Sequence, residues 1–125
     1  MRPPRSEIKH ARGKRAHSRG LWAERLACWL LRLKLYRIVG ERVKTRAGEV
    51  DIVARKGNTL IIVEVKARRT MREAAEALQP RQQVRLARAA EILLGQQRGQ
   101  MDLRFDVIQF APGHLPRHLK DAWRP

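Results

Sequence analysis

The chain has 125 residues, enough for one domain with a hydrophobic core that needs no covalent staples. Its apolar content of 43% excludes wholesale disorder, and its single cysteine, Cys28, excludes an internal disulfide or a thiolate pair for a metal. Lys and Arg number 28 against 12 Asp and Glu; a formal charge of +16 repels itself in a compact domain and points to a polyanionic partner, nucleic acid first.

In chain order, residues 1–19 come first. They hold seven Lys/Arg, two adjacent prolines and almost no large apolar side chain, which predicts a disordered basic arm. Arg12, Lys14, Arg15 and Arg19 are its candidate phosphate contacts, although a solvated tail would have the same composition. This segment lacks the apolar core of a signal peptide. No apolar run approaches the roughly 20 residues that span a bilayer. The densest, Leu21 to Leu35, is broken by Glu24, Arg25, Arg32 and Lys34. A cytoplasmic protein with no membrane partner is expected.

From Gly20 to Lys34 the pattern is helical, with Trp22, Leu26, Trp29, Leu30 and Leu33 on one stripe at the 3.6-residue period. That stripe is the expected core face, with Cys28 as a small apolar residue of the same helix and Glu24 on the border of the polar face. Three strands follow. Tyr36 to Lys44 has β-favouring composition, and Arg46, Ala47 and Gly48 supply a turn. Glu49 to Arg55 and Leu60 to Ala67 flank a Lys56-Gly57-Asn58 hairpin turn. The third strand is apolar up to Glu64, the mark of a central strand covered on both faces.

Thr70 and Glu73 have capping-box spacing and predict a short helix to about Leu78. Pro80 then opens a longer helix with Leu86, Ala89, Ala90 and Leu93 as its buried stripe, ended by Gly95 and Gly99. Leu103 to Phe110 is the last predicted strand. The order α-β-β-β-α-β predicts an α/β fold, a central mixed sheet flanked by helices. The domain is expected over residues 20–110, with 111–125 as a C-terminal tail packing on it or trailing from it.

The anomaly lies on the third strand. Leu60, Ile62, Glu64 and Lys66 share one face, so two charged residues continue an apolar row where charge is costly to bury unless paired or coordinating. Glu49 and Asp51 share a face of the neighbouring strand, and hairpin pairing can bring them beside Glu64. Clustered carboxylates raise each other's pKa unless a cation intervenes, and a hard divalent ion takes oxygen ligands of this kind. Such an ion can polarise a phosphodiester, and Lys66 could orient water or meet the charge developing on phosphate. A buried Glu64–Lys66 or Asp51–Lys66 ion pair fits the same spacing equally well.

Gly48 to Val53 (GEVDIV) followed by Leu60 to Arg68 (LIIVEVKAR) closely resembles the YraN-like uncharacterised bacterial family. That family is similar to the PD-(D/E)xK nucleases, including archaeal Holliday-junction resolvases. Gly20 and Ala23-Glu24 resemble its first helix, and Pro80 to Leu94 and Arg104 to Val107 its later segments. The likeness covers about Gly20 to Trp123. It implies a restriction-endonuclease-like domain with Asp51 and Glu64 as metal ligands for Mg²⁺ or Mn²⁺, Lys66 as catalytic lysine and Glu24 as an auxiliary acid. Gln82 stands where the family commonly has a lysine; it lies on the stripe of Leu86, Ala89 and Leu93 and can face the site. Arg46, Arg68, Arg69 and Arg81 are further candidate phosphate contacts.

The leading expectation is a metal-dependent endonuclease on DNA, which branched substrates would suit, with DNA favoured over RNA. Cutting two strands of a junction would need a two-fold homodimer. The alternative is a nucleic-acid-binding protein that keeps the fold without catalysis, toward which Gln82 leans. A basic adaptor for an acidic protein or membrane surface is a third reading, and it gains nothing from the carboxylates. Asp106 is expected to pair with a nearby arginine, and the histidines, in the tails, receive no role. With both helix tryptophans assigned to the core, base stacking is not expected.

Overall fold

The computed structural model describes residues 20–125. A helix, α1, covers residues 20–33 and is followed by β1 (Arg37–Thr45), β2 (Gly48–Lys56) and β3 (Thr59–Ala67). Then come α2 (Met71–Glu76), α3 (Pro80–Gly95), β4 (Asp102–Phe110) and β5 (Arg117–Leu119). The strands form one sheet in sequence order: β1, β2 and β3 antiparallel, β3 and β4 parallel across the α2–α3 crossover, and β4 and β5 antiparallel. The expected mixed sheet flanked by helices is the fold observed.

Local chemistry explains the element ends. Both hairpins turn in two residues, Arg46–Ala47 and Gly57–Asn58, and Gly57 takes the positive φ of 58° that a side chain would resist. Thr70 caps α2 by accepting from the Glu73 N–H at 3.1 Å. Pro80 starts α3, where its missing N–H would have no helical partner. At the end of α1, Tyr36 N–H donates to Leu31 O at 2.9 Å and Leu35 adopts φ 68°, a left-handed closure usually taken by glycine.

Two cores sandwich the sheet. On one face α1 contributes Ala23, Ala27, Cys28 and Leu31 against Ile52, Ala54, Ile61, Val63 and Ile108. On the other, α3 contributes Leu86, Ala89, Ala90 and Leu93, the stripe expected from its sequence, against Val53, Leu60, Ile62 and Phe105. The expected stripe of α1 is corrected: Trp22, Trp29 and Leu33 are exposed (65%, 62% and 79%), and only Leu26 and Leu30 of that set are partly buried against the core. The sheet selects the face with alanines, because small side chains let a helix axis approach the pleated surface closely. Large residues are then left at the flanks.

The segment after β4, expected to pack on the domain or trail from it, includes a short strand, β5, that pairs with β4. It carries His118 onto Asp106, whose side chain is fully buried. Arg104 donates to both Asp106 oxygens at 2.9 and 2.8 Å, His118 Nε2 lies 2.8 Å from Oδ2, and the Asp121 N–H donates to Oδ1 at 3.0 Å. Lys34 Nζ is 3.0 Å from His118 Nδ1. An ammonium can only donate, so Nδ1 accepts and Nε2 carries the proton toward Asp106. Burial alone would raise the Asp106 carboxyl, but hydrogen bonds from His118, Arg104 and Asp121 and the Arg104 charge hold it down at about 2.

Asp106→Asn therefore leaves Arg104 without its counter-charge and is expected to lower stability by about 3–5 kcal/mol at neutral pH. A carboxyl with a depressed folded pKa stabilises above its ordinary 3.8 and loses that contribution as pH falls through about 2. The gap between wild type and variant should thus narrow in acid, which chemical denaturation at a series of pH values would measure.

Candidate active site

The β2–β3 ladder runs from Lys56↔Thr59 to Ile52↔Val63, and at that point side chains replace it. Asp51 Oδ2 accepts from the Val65 N–H at 2.8 Å, and Glu64 Oε1 accepts a long bond from the Asp51 N–H at 3.4 Å. Each carboxylate thus answers a backbone donor of the opposite strand, which pins the two together while the ladder opens. Val50 and Val53 both pack under α3 although strict alternation would separate them, which places the irregularity of β2 at Asp51.

Glu64 and Lys66 are 5% and 7% exposed, on the α3 side of β3. Lys66 Nζ lies 3.8 Å from Glu64 Oε2 and 3.3 Å from Gln82 Oε1 on α3. Burial, then the Asp51 charge, pushes the Glu64 carboxyl up to about 8, and Lys66 is too far away to reverse this. Glu64 and Lys66 are therefore a weak internal ion pair, and the fold favours a protonated Glu64. That is what separates this cluster from the Arg104–Asp106 pair, where the carboxylate is fully paired.

Glu24, in α1, accepts from Arg42 Nε at 2.8 Å. Burial raises its pKa, Arg42 opposes, and the charges of Asp51 and then Glu49 raise it further, so the first turns of α1 stand beside the cluster. Arg42 takes φ 50° in β1, two residues past Gly40, where the Ile38/Gly40 register shift ends. Glu49 is exposed; its carbonyl accepts from Arg85 at 2.8 Å. Gly48, at φ 127°, allows this, because a Cβ there would collide with the Arg85 guanidinium.

Of the sequence-predicted residues, Asp51, Glu64, Lys66 and Gln82 come together and Glu24 borders them. Arg46 and Arg81 line one cleft of about 480 Å³ with Arg85 and Arg88. Arg68 and Arg69 lie beyond the end of β3, on the rim of another cavity. Arg12, Lys14, Arg15 and Arg19 lie outside the described residues. Sequence reasoning passed over Arg85 and Arg88, although with Arg81 they recur at helical spacing. It also missed Gln109, the register partner of Lys66 on β4. Gln109 is 2% exposed with Oε1 unpartnered among the described residues, a buried acceptor beside the lysine that no sequence pattern announces.

The carboxylates of Asp51 and Glu64 offer oxygen donors, the chemistry of a hard divalent cation. No group of three or more His, Cys, Asp or Glu gathers for a metal among the described residues. Two carboxylates remain, a number that suits Mg²⁺, which takes one or two and keeps several waters.

The fold and site together define a small α/β domain with a carboxylate–lysine cluster where two strands part. A model of the uncharacterised protein family UPF0102 matches residues 23–110, and the chain belongs to that family. A UPF0102 protein of Parvibaculum lavamentivorans is 53% identical over 133 residues, covering 100% of both chains. One of Caulobacter vibrioides is 45% identical over 118 residues, covering 93% of this chain and 94% of the relative. One of Sphingopyxis alaskensis is 46% identical over 111 residues, 88% and 96% of the two chains. Among the described residues no helix is long and apolar enough to cross a membrane.

A raised folded pKa means that Glu64 supplies its full stability below about 4.5 and loses it as pH rises through about 8. In chelator, Glu64→Gln should match wild type in mild acid and exceed it at alkaline pH by on the order of a few kcal/mol. Thermal melts of both proteins against pH check this; a gap that ignores pH would mean an ionised, paired Glu64.

Proposed function

We propose that this protein is a metal-dependent endonuclease that hydrolyses phosphodiester bonds of DNA, branched DNA included. The observation that carries the reading is the Asp51–Glu64 pair, with Glu64 buried and Asp51 half-buried, under-neutralised by Lys66, at an opening of the sheet flanked by arginine-lined clefts. A purely structural ion pair would be expected to hold its carboxylate ionised.

Asp51 and Glu64 would hold Mg²⁺ or Mn²⁺, with Glu24 as an auxiliary acid at the margin. Such an ion supplies Lewis-acid polarisation of the phosphodiester and a lowered pKa of the attacking water. Lys66 donates toward a phosphate oxygen as negative charge develops, and its burial makes that charge matter more than it would in water. Gln82 accepts from Lys66 Nζ and so aims it without neutralising it. Arg46, Arg81, Arg85 and Arg88 on one side and Arg68 and Arg69 on the other hold the backbone phosphates. Junction cutting would engage two copies related by a two-fold axis.

The second reading, nucleic-acid binding without hydrolysis, draws on the same Lys66–Gln82 bond, because an amide holds the lysine where a second cation would add charge for phosphate. Either way, affinity should fall steeply and log-linearly with salt as counterions are released.

Branched, duplex and single-stranded DNA incubated with Mg²⁺, Mn²⁺ or chelator should be cleaved only with metal. Lys66→Ala should keep metal binding and lose about 100- to 1,000-fold in rate. Asp51→Asn should stay folded, because its amide oxygen can still accept from Val65, but lose the thermal shift that metal gives wild type. Metal binding without cleavage of any substrate selects the second reading, and Gln82→Lys is then the variant to assay for gained activity. No metal-dependent shift, even with DNA present, sinks the metal site.

A further inference from the structure

A cavity of about 460 Å³ opens on the α1 side of the sheet, at the ends of β3 and β4. Trp22, Leu26, Phe110 and Pro116 give it apolar walls, and Arg68, Arg69 and His114 stand among its lining residues. Two chain connections tie it to the carboxylates. Ala67, among its lining residues, directly follows Lys66 on β3 but faces the opposite side of the sheet, so the two sites meet around the end of that strand. Trp22 lies two residues from Glu24, which feels the Asp51 charge. Trp22 is 65% exposed. A flat, amphipathic aromatic on the edge of a cavity, with two guanidinium groups nearby, matches one chemistry above others: an aromatic base attached to a phosphate.

We infer that this cavity is a subsite for an unpaired nucleobase of the bound DNA, with Trp22 as its stacking face and Arg68 and Arg69 as contacts to the adjoining phosphates. The inference rests on the nucleic-acid reading of the neighbouring site and names the feature it selects, a nucleotide free of its duplex. A strand that enters across the arginine-lined cleft on α3 passes the opening of β2 and β3. It then leaves over the end of β3, where a base still paired could not turn into the cavity. The net charge of +16 favours this occupant over a second, equally cationic copy of the chain.

The test compares a blunt DNA duplex with the same duplex bearing a short single-stranded tail, in chelator so that nothing is cleaved. Wild type should bind the tailed duplex more tightly. Trp22→Ala should remove that gain, on the order of tenfold, and leave blunt-duplex affinity unchanged. Trp22→Phe should keep most of it, and Trp29→Ala, on an exposed residue away from the cavity, should keep all of it. An oligothymidylate should quench tryptophan emission in wild type and in Trp29→Phe but not in Trp22→Phe.

The inference is overturned if wild type binds both duplexes alike, or if Trp22→Ala weakens both equally. It is also overturned if sedimentation shows a dimer that Trp22→Ala dissociates, since a second copy would then cover the cavity. Each of these leaves the nuclease reading standing, because metal-dependent cleavage and its loss in Lys66→Ala are measured separately. Absence of any DNA binding at low salt would instead remove the nucleic-acid reading and this subsite with it.

Discussion

Glu64 sits on the central strand under α3, and burying a carboxyl there sets terms that its surroundings have to meet. Ionised, it would face the desolvation penalty of the interior and the repulsion of Asp51. The fold does not remove that conflict with a close counter-ion; Lys66 stays 3.8 Å away. Instead it gives each carboxylate a backbone donor, Val65 N–H for Asp51 and Asp51 N–H for Glu64. Those bonds stand where ladder bonds would have been, so the opening of the strand pair and the acidity of the site share one cause.

The layers above and below are shaped by how closely each helix approaches the sheet, through alanines set beside leucines: Ala23 and Ala27 with Leu31 on one face, Ala89 and Ala90 with Leu86 and Leu93 on the other. Close helix approach leaves room underneath for Leu31 but not for Trp22, Trp29 and Leu33 of α1. Trp22 and Leu26 are displaced to the end of the sheet, where they wall the cavity beside Arg68 and Arg69. Close packing of the core is thus the reason an aromatic surface stays exposed at that cavity.

Much of this was legible in the sequence. The two hairpin turns, the apolar run of β3 and the stripe of α3 obey their periods, and the charged residues that broke the β3 pattern led directly to Asp51, Glu64 and Lys66. The α1 stripe was misread because hydrophobic periodicity ranks residues by size and apolarity, whereas contact with a sheet ranks them by how closely they let the backbone approach. Ala23 and Ala27 carry a weak apolar signal and win on geometry. β5 is three residues long, too short to show alternation, so His118 looked like part of a tail until pairing brought it to Asp106. Gln109 gave no signal, since one amide in an apolar strand is identified as unpartnered only when its neighbours are placed.

The two buried acidic centres show how environment divides identical chemistry. Asp106 receives a bidentate arginine, a histidine and a backbone N–H, and its carboxyl is driven down to about 2. Glu64 receives one long backbone bond and a distant lysine, and its carboxyl is driven up to about 8. A saturated carboxylate has nothing left to offer a ligand, and it joins β4 to β5 as a fixed clasp. An unsaturated one retains acceptor capacity and a penalty that a cation would relieve. Gln82 preserves that imbalance: as an acceptor for Lys66 Nζ it occupies the lysine without neutralising either carboxylate. A cation at position 82 would lower the penalty on Glu64 from the protein itself, and with it part of the driving force for binding a metal. The amide would leave that driving force in place, so under the proposed metal reading its presence counts against metal binding less than the loss of a charge first suggests.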